Sequence, residues 1–256
     1  MPDKLADQFH RRTPVSRFGT VAVMAAGGLL FGGAAAAAAP SPQGKGHSAA
    51  SANGSRIEVV RVAPSADAAR LLKWVVASGD NLGLPFLLVD KVHAQAMAFN
   101  PDGSPRGSAA ALVGLGRGDV SPPGIGQRRL ADIPPGDRIT PAGRFIAALG
   151  NDLGVADILW VDYDAAISLH RVITGNPRDR RRQRLATVSA ADNRITYGCI
   201  NVPIGFFDTI VRPLFSRTNG LVYILPEAKP LDQVFAVAAN ATASEAKEFA
   251  SRPPQR

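Results

Sequence analysis

From Phe86 to Leu225 the chain alternates short apolar runs with clusters of Gly, Pro, Asn and Asp. Such runs, bounded by turn residues, read as strands. Phe86-Leu87-Leu88-Val89-Asp90 and the run from His93 to Phe99 predict two of them, with His93 on a strand face. Asn100-Pro101-Asp102-Gly103 predicts a hairpin turn. Further strands are predicted over Ala109 to Leu115, Phe145 to Leu149, Asp157 to Tyr163 and Ala166 to Val172, with Leu221 to Leu225 as the closing strand. Gly116 to Pro135 is Gly/Pro-rich and reads as loop. Helical spacing shows at Ala68, Leu71, Leu72, Trp74, Val75 and Val76, with Ser65 placed to cap the first turn. A turn follows over Asp80 to Pro85. A second helical run follows Pro203, and a weaker one covers Val234 to Ala250. Many short strands and few helices predict a mainly β fold.

The ends differ from this middle. Residues 1–40 open with Lys4, His10, Arg11, Arg12 and Arg17, continue through an apolar stretch and finish Ala-rich. That order predicts a signal peptide, or an uncleaved N-terminal anchor, with the basic flank in the cytoplasm and the rest exported to the periplasm or cell envelope. Arg11-Arg12 resembles a twin-Arg pair, but the residues after it fit that signal poorly. Residues 41–55, rich in Ser, Gly, Ala and Pro, predict a flexible linker. Residues 56–83 would add a short strand, Arg56 to Val62, and the capped helix.

A chain of 256 residues is expected to hold one or two domains. The formal net charge of +8 favours anionic surfaces or polymers. One cysteine excludes an intramolecular disulfide and leaves the redox compartment open. No Cys/His cluster has metal spacing and no Gly-rich phosphate loop is present, so neither metal nor cofactor is expected.

The single cysteine sits in Arg194-Ile195-Thr196-Tyr197-Gly198-Cys199-Ile200-Asn201-Val202-Pro203. Gly198 permits a tight turn or close backbone approach. A thiol there, where strand or loop feeds a helix, fits a nucleophile lowered in pKa by the helix N-terminus. On residue type alone, a lone cysteine reads first as a small buried hydrophobe. A nucleophile needs a base. His10 and His47 lie in segments without a globular pattern, which leaves His93 and His170. His170 ends an alternating stretch upstream of the Gly-Cys turn, as a Cys/His pair requires.

These pieces resemble the L,D-transpeptidase catalytic domain, the peptidoglycan cross-linking cysteine transpeptidases. His170 is similar to the family's upstream His, and Thr196, Gly198, Cys199 and Asn201 to its second block. Thr140-Pro141-Ala142-Gly143-Arg144-Phe145 resembles its Thr-Pro-x-Gly-x-Phe segment, and the stretch from Asp90 to Gly103 its opening hairpin. Two departures stand out. Tyr197 occupies the place of a usual His, and the gap from His170 to Thr196 is longer than common. The resemblance implies a β-sandwich-like catalytic domain over residues 84–228 with a few short helices, and a C-terminal tail over 229–256. It implies Cys199 as nucleophile and His170 as base, or a thiolate–imidazolium pair of the two. The Arg171 carbonyl would orient the imidazole. Backbone N–H groups of Gly198 and Cys199, with Tyr197, would hold the oxyanion. Thr196 and Asn201 would support the turn by local hydrogen bonds. The substrate implied is a peptidoglycan stem peptide.

Arg178, Arg180, Arg181, Arg182 and Arg184 share the segment between His170 and Cys199. They read either as a solvated charged loop or as a flap in which Arg180, Arg181 and Arg182 bind substrate carboxylates. Nucleic acid is not an expected partner, because no aromatics are interleaved. The membrane is expected only through an uncleaved leader. Three alternatives to a transpeptidase stay open: an L,D-carboxypeptidase on the same fold, a catalytically weak wall-binding module, and a sortase-like enzyme using Arg212, whose Gly-Cys context does not match.

Overall fold

The computed structural model of the protein describes residues 63–152 and 155–235. The predicted leader, linker, strand over Arg56 to Val62 and most of the tail lie outside them.

Helix α1, Ala66–Ser78, begins where Ser65 Oγ accepts from the Ala68 N–H at 3.1 Å, and ends at Gly79 in the left-handed region. Ten strands follow: β1 Phe86–Asp90, β2 Gln95–Phe99, β3 Pro105–Ala110, β4 Val113–Gly114, β5 Gly143–Asp152, β6 Val155–Asp162, β7 Ile167–Arg171, β8 Arg194–Thr196, β9 Ile200–Val202 and β10 Gly220–Ile224. A short helix α2, Arg181–Ala186, lies between β7 and β8. Helix α3 starts as Ile204–Phe206, passes through a π-helical turn over Phe207–Val211 and ends as Arg212–Phe215. Helix α4, Leu231–Phe235, follows β10. The fold is mainly β with a few short helices. Among the described residues no helix is long and apolar enough to cross a membrane.

Eight strands form one sheet in the order β3-β2-β1-β10-β5-β6-β7-β9, and β4 pairs with β8. The long β5 serves both halves. Its first residues pair with β10 and its later ones with β6. Leu87, Val89, Ala96 and Ala98 from one half share a core with Leu159, Leu169, Ile200 and Val202 from the other, filled by Phe206, Phe207, Val211 and Phe215 of α3. This is the sandwich-like arrangement expected. A second core lies on the opposite face of the first half, where Phe86, Leu88, Met97, Phe99, Leu221 and Tyr223 meet Leu71 and Val75 of α1 and Leu231 and Phe235 of α4. Strands buried on both faces read as continuous apolar runs, which explains Phe86 to Val89 and Leu221 to Ile224. Each large side chain buried in this way stabilises by about 1.5–3 kcal/mol.

Several expectations shift. The last strand, β10, is central in the sheet, parallel to β1. The run from Ala109 to Leu115 divides between β3 and β4, which belong to different sheets. His93 lies in the β1–β2 turn, not on a strand face, because Asp90 Oδ1 accepts the N–H groups of Val92 and His93 and so closes a turn there. Its ring Nδ1 is 2.9 Å from Asp90 Oδ2. Residues 231–235 are helical and join the second core.

A buried charge cluster ties the long loop before β5 to the sheet. Lys91, 1% exposed, donates to Gly118 O at 2.6 Å, Asp119 Oδ1 at 2.9 Å and Thr140 O at 3.0 Å. Asp119 also accepts the backbone N–H groups of Glu227, Ala228 and Lys229. Arg194 pairs with Glu227 and reaches the carbonyls of Gly114 and Gly116. Burial lowers the Lys91 pKa against the opposing pull of Asp119 and Glu227.

Candidate active site

Strands β7 and β9 run parallel, with Leu169 beside Ile200 and His170 beside Asn201. Leu169 and Ile200 point into the core. Side chains alternate across a strand, so Ser168 and His170 of β7 share the outer face with Cys199 and Asn201 around β9. Ser168 lies laterally next to Cys199, and its Oγ is 3.7 Å from the Cys199 Sγ. His170 and Cys199 are diagonal neighbours, about 8 Å apart at Cα by strand geometry. Ser168, His170 and Asn201 are all buried, while Cys199 is partly exposed. The Cys199 thiol also lies 3.6 Å from the carbonyl of Ala166, a non-Gly residue at φ 55.

The ring of His170 is held at both nitrogens. Nδ1 is 2.8 Å from the Arg171 carbonyl and Nε2 is 3.2 Å from Asn201 Nδ2. A carbonyl can only accept, so Nδ1 carries the proton. Burial is the main cause that lowers the His170 pKa to about 4; the bond to Arg171 O opposes it and the Arg181 charge reinforces it. At neutral pH the imidazole is therefore neutral. The Arg171 carbonyl accepts from Nδ1 and so holds the ring plane. Its side chain braces the far side, donating to Asp208 Oδ1 at 2.7 Å and lying over the Phe207 ring.

Thr196, Gly198 and Cys199 form a closed local turn. Thr196 Oγ1 accepts the Gly198 N–H at 3.2 Å and donates to the Cys199 carbonyl at 2.6 Å. Thr196 thus supports the turn. The same bond engages the N–H of Gly198, one of the expected oxyanion donors. Gly198 itself sits at φ +129, and a Cβ there would lie 2.6 Å from Ile167 Cδ1 and 2.8 Å from Ile139 O. No other residue fits. Tyr197 packs under Arg138, whose Cζ is 4.0 Å from the ring centroid.

Asn201 departs from expectation. It bridges His170 to Arg181 and makes no bond within its own turn: its Oδ1 accepts from Arg181 Nη1 at 3.1 Å. The chain after Cys199 is extended through β9 and Pro203, so α3 begins on the order of 15 Å further on. The expected helix N-terminus at the sulfur is absent for that reason.

The Arg-rich segment is partly ordered into α2. Arg181 turns inward with a largely buried side chain, whereas Arg180 and Arg182 are exposed. The flap reading therefore splits between inward and outward members. No sequence motif assigns a site role to Ser168 or Thr140. Ser168 was reachable from its i−2 relation to His170 on an alternating strand. Thr140 acts from the loop, far off in sequence. Trp160 pairs with Ser168 across β6–β7 and stacks on Tyr163 at 4.8 Å, extending the same face. Among the described residues no group of three or more His, Cys, Asp or Glu side chains is arranged to hold a metal ion.

No protein-family model and no curated protein matches the chain. Among solved structures it is similar to the helical cell shape determining protein Pgp2 from Campylobacter jejuni, with a TM-score of 0.39 and 17% identity over 65% of this chain and 60% of that one. A mutant of that protein aligns at a TM-score of 0.37 and 14% identity, over 65% of this chain and 59% of that one. An L,D-transpeptidase from Xylanimonas cellulosilytica DSM 15894 aligns at a TM-score of 0.33 and 13% identity, covering 55% of this chain and 60% of that one. The chain thus spans less than two thirds of the length of each.

Proposed function

We propose that this protein is an exported cysteine acyltransferase of the L,D-transpeptidase type, acting on peptidoglycan stem peptides in the periplasm or cell envelope. One observation carries the reading: the β7–β9 register gathers Cys199, His170, Ser168 and Asn201 on one sheet face, with the imidazole oriented by the Arg171 carbonyl. A neutral imidazole is the form that accepts a proton.

In this reading Cys199 attacks the amide carbonyl of a diamino acid that precedes D-Ala, and the thiol proton passes to His170 Nε2, the ring's one acceptor nitrogen, as the Asn201 N–H gives way to it. The C–N bond of the tetrahedral intermediate breaks, and His170 returns the proton to the departing D-Ala amine. A thioester remains on Cys199. An amine of a second stem peptide then attacks it, the C–S bond breaks, and the acceptor's proton returns through His170 to the sulfur. Water as acceptor gives a carboxypeptidase instead. With Gly198 N–H engaged, the turn's candidates for oxyanion donors are the N–H groups of Cys199 and Tyr197.

The test is mass spectrometry of the full chain incubated with a disaccharide-tetrapeptide. A cross-linked dimer with release of D-Ala is expected from the parent and not from Cys199→Ala. Loss of D-Ala without a dimer would identify the hydrolase. Unchanged substrate, with no acyl adduct on Cys199, would overturn the reading. Fractionation of cells making the full chain should place it outside the cytoplasm.

A further inference from the structure

The hydrogen bonds from Arg181 to Arg171 form a chain with only one possible direction. A guanidinium can only donate, so Asn201 turns its Oδ1 toward Arg181 Nη1. The Asn201 Nδ2 is then fixed facing His170 Nε2 at 3.2 Å. An amide N–H can only donate as well, so Nε2 must accept. The proton is left on Nδ1, which donates to the Arg171 carbonyl at 2.8 Å. Every link runs the same way, from a group that cannot accept to a group that cannot donate.

We infer that Arg181 is a positioning residue that fixes, through Asn201, the second of the two contacts that keep the His170 proton on Nδ1, the first being the Arg171 carbonyl. The inference rests on the reading of His170 as the base, and it adds a residue from the Arg-rich segment to that base's support. Arg181 is built for the task. Its Nε donates to Asp179 Oδ2 at 2.9 Å, and Asp179 is held in turn by Asn176 Nδ2 at 2.9 Å and, at its carbonyl, by Arg184 Nε at 2.8 Å. The guanidinium side chain is 15% exposed, so water competes weakly for it. Its neighbours Arg180 and Arg182 face solvent and share none of these bonds with the site. Removing the guanidinium would free the Asn201 amide to turn over. An inverted amide presents oxygen to Nε2 and competes with the Arg171 carbonyl for the ring proton. Burial and the Arg181 charge both oppose a doubly protonated ring.

The experiment is a nitrogen-15 spectrum of the histidine rings in the full chain at pH 7, with His170 assigned by its loss in His170→Gln. The parent should show the neutral ring protonated at Nδ1. Arg181→Leu, which keeps the Arg171 contact, should show a measurable minor population protonated at Nε2, and its kcat on a tetrapeptide should fall up to about tenfold with KM within about twofold. Arg181→Lys, which still donates to Asn201 Oδ1, should restore the parent tautomer. Asn201→Asp places an acceptor against Nε2 and should protonate it even if Arg181→Leu does not fold. An unchanged Nδ1–H tautomer in both Arg181→Leu and Asn201→Asp would overturn the inference. The ring spectra do not depend on turnover. Silence in the peptide assay with the expected tautomers would therefore count against the acyltransferase reading and leave the Arg181 role standing.

Discussion

The Thr140 hydroxyl donates to the Gly198 carbonyl at 2.7 Å while accepting the Gly114 N–H at 2.8 Å. Both bonds are buried. The first fixes the peptide unit that leads into Cys199. A trans peptide points its C=O and N–H in opposite directions, so the Cys199 N–H is aimed away from Thr140.

Thr140→Val keeps the shape and removes both bonds. Each buried backbone group left without its partner costs roughly 1–3 kcal/mol. Denaturant unfolding should show a loss in that range or above, and Thr140→Ser should retain most of the stability. An unchanged midpoint for Thr140→Val would show that the hydroxyl does not hold the turn.

Lys91 acts one step behind Thr140, through the Thr140 carbonyl at 3.0 Å. Lys91→Met would leave Asp119 buried and unpaired with a cation, at a cost of about 3–5 kcal/mol. Because Lys91 bonds the backbone of Thr140 directly, the double variant with Thr140→Val should be non-additive by about 0.5–3 kcal/mol. Strict additivity in equilibrium unfolding would argue against a connection between cluster and turn.

His170 makes stability depend on pH. Its folded value is lowered from 6.5 to about 4, so between those pH values the unfolded chain binds a proton that the folded one refuses. Stability is full above about 6.5 and falls as the pH drops toward 4, by up to roughly 3 kcal/mol. His170→Gln should flatten that part of the curve. The same slope in the variant and the parent would assign the effect to other groups.

Arg180→Ser with Arg182→Ser removes two exposed charges and none of the bonds to Asn201. Unfolding free energy should stay within about 0.5 kcal/mol of the parent. If the pair meets substrate carboxylates, turnover of an anionic stem peptide should fall up to about tenfold at low salt and recover as salt rises. Alkylation of Cys199 by a neutral reagent should stay at the parent rate. Turnover equal to the parent's at every salt concentration would make the pair a solvated surface.

The sequence made the strands legible because their apolar runs are bounded by Gly, Pro and Asn, and it made α1 legible because Ala68, Leu71 and Val75 recur on one face. Thr196, next to the cysteine, could be read as a local support. Partners set by pairing between distant strands could not. Asn201 reaches His170 only because β7 and β9 are parallel neighbours, which no local pattern specifies. Arg181 and Arg182 are identical letters in one run. Only the start of α2 after the left-handed Arg180 separates the inward one from the outward one. The β10 run was recognised as a strand, but its central place depends on two faces being covered, by α1 on one side and α3 on the other.

That central place sets an order of assembly. Strands β1 and β5 never touch as a ladder; β10 lies between them and bonds to both. While the ribosome is still adding residues before Gly220, the β2–β1 and β5–β6 ladders present facing unpaired edges with nothing to join them. Closure waits for a contact between Phe86 and Leu221, among the most sequence-distant pairings in the sheet, and such contacts form slowly. The nascent chain therefore stays open until Gly220–Ile224 has been made. On the export route proposed above, the chain would reach a translocation pore before its sheet could lock.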